Sequence, residues 1–304
     1  MNARTRAYLY LLATVLIWGA ASPVIKLTLS AIDPLPFLSY RFLISGILAA
    51  AIIFLRRISL PKSMKLKFLL LAYGLTGTTF ALGFLFIGLD NTTVLDLALI
   101  GAIGPLLIAV GGAVFLKEKI SRQETLGISI ALIGVFIVTI YPIITQTDGI
   151  SLSGNIFILA YLIFDASSVL IARELVRKKV SPGTVSNYAF IVAAITIIPF
   201  TLLSYSPHAL VKTIMDLSLS YHLGVWYMAV LSGIVAYWFF AKGEKVIEAG
   251  EAGLFFYLHP VFSAPLAVVW LGEQITPRFI VGAAIIGTGV AIAEHKRTKK
   301  EKRY

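Results

Sequence analysis

The sequence predicts an all-α polytopic membrane protein, with ten transmembrane helices arranged as two inverted-topology five-helix repeats. Three observations predict it. Of 304 residues, 58% are hydrophobic and 13% charged, with a mean hydropathy of +0.89, against the roughly 25% charged residues of an ordinary soluble domain. The apolar residues fall into ten runs, each near the ~20 residues that cross a bilayer at about 1.5 Å per residue. Two neighbouring runs also match two later ones residue for residue.

A 33.0 kDa chain with so few charges cannot clothe a soluble globule in polar surface, which excludes the soluble-enzyme classes. The absence of cysteine excludes disulfide frameworks, thiolate catalysis, zinc–thiolate centres and iron–sulfur sites. The net charge of +11 raises nucleic acid as a partner, but the cations lie in short clusters between apolar runs.

The spans are 8–30, 35–55, 67–89, 94–116, 124–143, 154–173, 184–204, 221–241, 251–271 and 277–294. The first, apolar from Tyr8 to Ile25, exceeds the apolar core of a cleaved leader and is expected to remain as helix one. Arg4 and Arg6 precede it. Arg56, Arg57, Lys62, Lys65 and Lys67 separate spans two and three; Lys117, Lys119 and Arg122 separate four and five; Arg173, Arg177, Lys178 and Lys179 separate six and seven. Lys242 and Lys245 follow span eight, and Lys296, Arg297, Lys299, Lys300, Lys302 and Arg303 follow span ten. All but four of the 26 Lys and Arg therefore lie on one side; the others are Lys212 and Arg278 in opposite loops, and Lys26 and Arg41 within spans. Cytoplasmic loops carry such an excess, so both termini are expected in the cytoplasm and the chain in the plasma membrane. The basic clusters suit anionic lipid rather than nucleic acid. The longest outward loop, Ser204 to Tyr221, has room for a short amphipathic helix.

The repeat has a fixed offset of 155 residues: Pro105 falls on Pro260, Leu116 on Leu271, Glu118 on Glu273, Ile120 on Ile275, Gly127 on Gly282 and Gly134 on Gly289. A weaker register near offset 146 places Leu16-Ile17 on Leu162-Ile163, Ala20 on Ala166 and Ser22 on Ser168. Five helices are thus written twice, as repeats 8–143 and 154–294. Because five is odd, the second copy enters from the opposite face. Inverted halves of this kind characterise secondary transporters, whose substrate sits near the midplane between the repeats.

The chain resembles the drug/metabolite transporter superfamily, in the ten-span form with two EamA domains. The resemblance rests on Trp18-Gly19, Ser22-Pro23 and Lys26 in span one and Arg41-Phe42 in span two. It extends through the blocks Pro105…Glu118 and Pro260…Glu273, which lead into Gly127…Gly134 and Gly282…Gly289. It implies movement, by export or uptake, of small organic solutes such as amino acids or nucleobases; the family inclines the expectation to export.

Charged side chains inside a membrane cost roughly 2.5–3.5 kcal/mol at a helix centre and are candidate sites. Asp165 lies mid-span in span six, as a substrate contact or as a protonated helix contact. Arg41, about 9 Å deep in span two, is either half of a helix-locking pair or a substrate contact. Lys26 is expected to snorkel outward, and Asp96 to pair with Lys26 or Arg41. His259-Pro260 and Gly104-Pro105 place proline interruptions at matching positions, a pointer to a broken-helix site, and Pro23 is a third candidate hinge. Trp18, Ser22, Tyr188, Trp238 and Tyr257 complete the candidate substrate-binding set with Arg41, Asp165 and His259. Glu118 and Glu273 are expected to cap helices or pair with Lys119 and Arg278.

Catalytic motifs such as His-Glu-x-x-His and Gly-x-Ser-x-Gly are missing, and the four His are scattered, so no enzyme, cofactor or metal is expected. The expected partners are a small-molecule substrate and membrane lipids, with a homodimer left open. A channel-like facilitator or a non-transporting scaffold is the alternative.

Overall fold

The computed structural model describes residues 2–117, 120–145, 152–244, 246 and 255–301. Every regular element among them is helical, as hydrocarbon demands of a backbone that must satisfy its own hydrogen bonds. Helix α1 (Ala3–Leu29) begins where Asn2 Oδ1 accepts from Thr5 N at 2.7 Å. Helix α2 (Pro34–Leu55) opens on a proline, whose missing N–H costs nothing in the first turn. Helix α3 (Met64–Asn91) contains a π-helical stretch, Gly74–Phe80. Helices α4 (Val94–Gly101) and α5 (Gly104–Leu116) form one rod broken at Ala102 and Ile103.

Helices α6 (Arg122–Thr145), α7 (Leu152–Arg177) and α8 (Pro182–Thr201) follow. The short helix α9 (Pro207–Met215) fills the loop expected to hold one. Helix α10 (Leu219–Gly243) carries a second π stretch, Tyr227–Val235. A tight turn, Phe255–Leu258, leads into α11 (His259–Leu271), and α12 (Pro277–Glu301) closes the order.

Among the described residues, seven helical rods are long and apolar enough to cross a membrane: α1, α2, α3, α4–α5, α7, α8 and α10. Phe255–Leu271 and Pro277–Ala293 are shorter apolar segments. Large side chains such as Phe54 (82% exposed), Leu203 (80%) and Val269 (77%) cover the outside, a surface suited to lipid and not to water.

The packing follows a regular scheme. Helix α1 lies against α10 and α11, and α7 lies against α3 and α5. Helix α2 meets the π stretch of α10, and α8 meets that of α3, while α2 pairs with α8 and α6 with α12. Exchanging residues before 145 with those after 152 maps each pair onto another pair or onto itself. Local structure follows the same exchange. Helices α5 and α11 each have 13 residues, each begin one residue before a proline, and each end at a left-handed residue, Lys117 (φ 57°) and Gly272 (φ 67°). Glycine adopts that conformation freely and lysine does not.

The largest buried side chains, Phe37, Phe42 and Phe86 with Ile25, Leu89 and Val94, gather toward the end of the bundle bearing Asp33 and Arg278. Toward the basic end the buried residues include two small separate groups, Ala7–Leu11 and Leu70–Leu175–Val180–Val185.

Candidate functional site

Trp18 stands midway along α1, and its Nε1 donates to the Ser232 carbonyl at 2.9 Å. A π stretch hydrogen-bonds i to i+5 and leaves carbonyls out of register with the α ladder, free for outside donors. Helix α10 shows the consequence: Ser45 Oγ reaches Ala229 O at 3.3 Å, Thr14 Oγ1 reaches Ala236 O at 3.3 Å, and Tyr227 donates back to Ile17 O at 2.5 Å. The π stretch of α3 is tied from its own side chain, with Thr78 Oγ1 donating to Ala189 O of α8 at 3.0 Å. Around the Trp18 ring stand Tyr237 at 5.1 Å, Phe240 at 5.7 Å, Phe256 at 5.9 Å and His259 at 6.3 Å between centroids.

Polar groups border this aromatic cluster. Arg41 is 3% exposed, with its guanidinium 5.3 Å from the Phe42 ring centroid and 5.6 Å from that of Phe86. Its Nε and Nη1 have no hydrogen-bond partner, and neither does the buried Nε2 of His259. Tyr237 is the electrostatic neighbour of both Arg41 and Asp165, and Tyr161 is a second neighbour of Asp165. Tyr161, Asp165 and Tyr237 are half-buried. The cluster therefore draws on α1, α2, α7, α10, α11 and the turn before α11. No group of metal-ligating side chains occurs among the described residues.

Of the residues singled out from sequence, Trp18 and His259 meet ring to ring, and Arg41 and Asp165 are electrostatic neighbours of Tyr237, which packs on Trp18. Tyr257 is half-buried in the turn beside Phe256, and Ser22 is half-buried one turn beyond Trp18. Tyr188 is half-buried on α8 with no ring contact to the cluster. Trp238 is 47% exposed and lies against Tyr10, Phe239 and Lys242, away from the interior. Helix α1 continues through Pro23, whereas Pro105 and Pro260 sit in the first turns of α5 and α11, just after interruptions. Phe240, Phe256 and the Ser232 carbonyl were missed. Phe256 lies three residues before His259, a spacing that could have flagged it.

The structure assigns partners to Asp96, Glu273 and Lys26, and the first differs from the expected one. Asp96 binds Arg278, at 3.2 and 3.3 Å, and not Lys26 or Arg41, because the starts of α4 and α12 meet at one end of the bundle. Glu273 accepts from Val94 N at 2.8 Å and Leu95 N at 2.9 Å, so of its two expected roles it takes the capping one, at the start of α4. Lys26 Nζ donates to the carbonyls of Leu89 at 2.7 Å and Asp90 at 3.1 Å, closing the C-terminal end of α3. The pairing of Glu118 with Lys119 lies outside the described residues.

Spanning helices around an interior aromatic and polar cluster define a multi-pass membrane protein. The EamA-like transporter family model matches residues 5–140 and 152–293, and the chain belongs to that family. It is similar to the uncharacterized transporter YyaM of Bacillus subtilis, with 26% identity over 94% of this chain and 92% of the relative. It is also similar to a probable amino-acid metabolite efflux pump of Salmonella typhimurium, with 28% identity over 92% of each chain. An uncharacterized transporter of Archaeoglobus fulgidus shares 26% identity over 96% of this chain and all of that protein. A crystal structure with 19% identity superposes with a TM-score of 0.65 over 98% of this chain and 99% of its own, a likeness of fold.

Proposed function

We propose that the protein is a secondary transporter of the plasma membrane that exports a small organic metabolite by alternating access of two inverted halves, 8–143 and 154–294. Ten spans cross the membrane and both termini are cytoplasmic. One observation carries the reading: the interior cluster is assembled from both halves, Trp18 and Arg41 from the first and Asp165, Tyr237 and His259 from the second. A site shared in this way is exposed to one face or the other when the halves rock. The exchange-related packing and the paired interruptions before Pro105 and Pro260 support the inverted repeat. The efflux pump among the relatives supports an organic metabolite and the outward direction. Without a nucleotide-binding motif, the carrier runs on an ion gradient, on exchange, or down the substrate's own gradient.

The test is efflux from cells expressing Asp165→Ala or His259→Ala. Each is expected to lower export at least about ten-fold, the loss of one good polar contact to substrate, with the protein still present in the membrane. Unchanged export in both overturns the site.

A further inference from the structure

We propose that Arg41 anchors a carboxylate of the transported solute, so that the substrate class is monoanionic organic acids with an apolar or aromatic body. The inference deepens the carrier reading and rests on it.

A guanidinium keeps its charge at any accessible pH, so burying one demands an anion or a full set of acceptors. From sequence, Arg41 had two roles: a pair locking helices, or a contact to the solute. Among the described residues the acids that could form the pair are engaged elsewhere or stand apart. Asp96 binds Arg278 and Asn155. Asp33 accepts from Tyr205. Glu273 caps α4. Asp165 makes no ion pair with Arg41 and shares with it only the neighbour Tyr237. What Arg41 has instead is the faces of Phe42 and Phe86, which favour a cation but accept no conventional hydrogen bond. Its Nε and Nη1 stay buried and unpartnered, as does His259 Nε2 in the aromatic cluster.

A carboxylate supplies the missing acceptors with charge-assisted bonds, and the rings of Trp18, Tyr237 and Phe256 offer apolar cover for the rest of the molecule. A phosphate ester carries nearly two negative charges at neutral pH. Asp165, which shares the neighbour Tyr237 with Arg41, makes that second charge unfavourable.

The experiment compares matched probes on the purified full-length protein in detergent: hydrocinnamate, its neutral amide, the corresponding amine, and phenyl phosphate. Hydrocinnamate is expected to raise the melting temperature by several degrees, and the other three by far less. Arg41→Lys, which keeps the charge but loses the planar donor fork, is expected to weaken hydrocinnamate binding about ten-fold, and Arg41→Gln further. An equal or larger shift from the amide, the amine or phenyl phosphate overturns the proposal. So does undiminished binding by Arg41→Gln, or the absence of any shift. If Arg41→Gln does not fold, the probe comparison on the unaltered protein decides alone. The carrier reading stands or falls separately, on export by the Asp165 and His259 variants.

Discussion

Arg278 Nη2 lies 3.2 and 3.3 Å from the two carboxylate oxygens of Asp96, tying the start of α12 to the start of α4. Asp96 is 1% exposed, and its neighbours extend the tie: Asn155 Nδ2 approaches it at 3.5 Å, and Thr92 Oγ1 donates to Asn155 Oδ1 at 2.6 Å. Each of these bonds joins a residue before 145 to one after 152. Toward the basic end, Gln123 Nε2 donates to Ile292 O at 3.2 Å. Any separation of these two stretches of chain at the Arg278 end breaks the Asp96 network.

Asp96→Asn keeps the shape and removes the charge that faces the partly buried Arg278. Loss of one member of a buried pair costs about 3–5 kcal/mol. We expect a loss near the lower figure, because Arg278 is not fully enclosed. Arg278→Gln should cost a comparable amount, and the double variant less than the sum of the two. Thermal unfolding in micelles reads all three, and additive losses would refute the coupling.

Trp18→Phe tests how the π stretch holds the site. It keeps an aromatic ring against Tyr237 and Phe256 but removes the donor to Ser232 O. A neutral hydrogen bond of this kind contributes about 1 kcal/mol. The expected result is a destabilisation of that size, with transport reduced as well. Transport and melting temperature both equal to those of the unaltered protein would show that the bond is dispensable.

Much of the fold was legible because membrane helices advertise themselves by length and apolarity. The offset that maps Pro105 onto Pro260 reappears as helices α5 and α11 of equal length. The site was legible only in part. Tyr237 and Trp238 are adjacent and equally aromatic, yet one faces the cluster and the other faces outward. The preceding stretch, Tyr227–Val235, is π-helical, and its wider turn rotates whatever follows relative to an α-helix; composition does not distinguish the two. The partner of Asp96 was hidden for another reason: Arg278 is 182 residues away in sequence, and only the pairing of helix starts brings it near.

Tyr205 supplies a pH prediction outside the spans. Its hydroxyl donates to Asp33 Oδ2 at 2.6 Å, and this bond, with a smaller effect of burial, pushes its pKa up to about 12, against an ordinary value of about 10. A tyrosine raised in the folded state contributes stability that is fully present below the ordinary value and is lost as pH rises through the folded one. The Asp33 tie should therefore hold up to about pH 10 and fail toward pH 12. The ultraviolet difference spectrum between the protein and Tyr205→Phe should show one tyrosine ionising near pH 12. Ionisation near pH 10 would mean that the bond does not form.

Gly127 and Gly289 face one another where α6 crosses α12, with Gly134 against Ile286 farther along. A Cβ added at Gly127 would fall on the carbonyl of Gly289 and the amide of Ala293, and one at Gly289 on the amide of Ala131. These obstacles are backbone atoms, which no rotamer change can move. In hydrocarbon, where apolar surface gives helices no special reason to associate, such close backbone approach is a main source of their attraction. Gly127→Ala should therefore push the helices apart and destabilise by about 2 kcal/mol, within the range for overpacking. Gly127→Val should exceed that and lower the amount of folded protein recovered from membranes. Gly287→Ala on α12 is the control, because a Cβ there meets nothing within 4 Å, and its melting temperature should be unchanged. Equal stability of Gly127→Ala and Gly287→Ala would show that the crossing has room to relax and that the glycines do not set its distance.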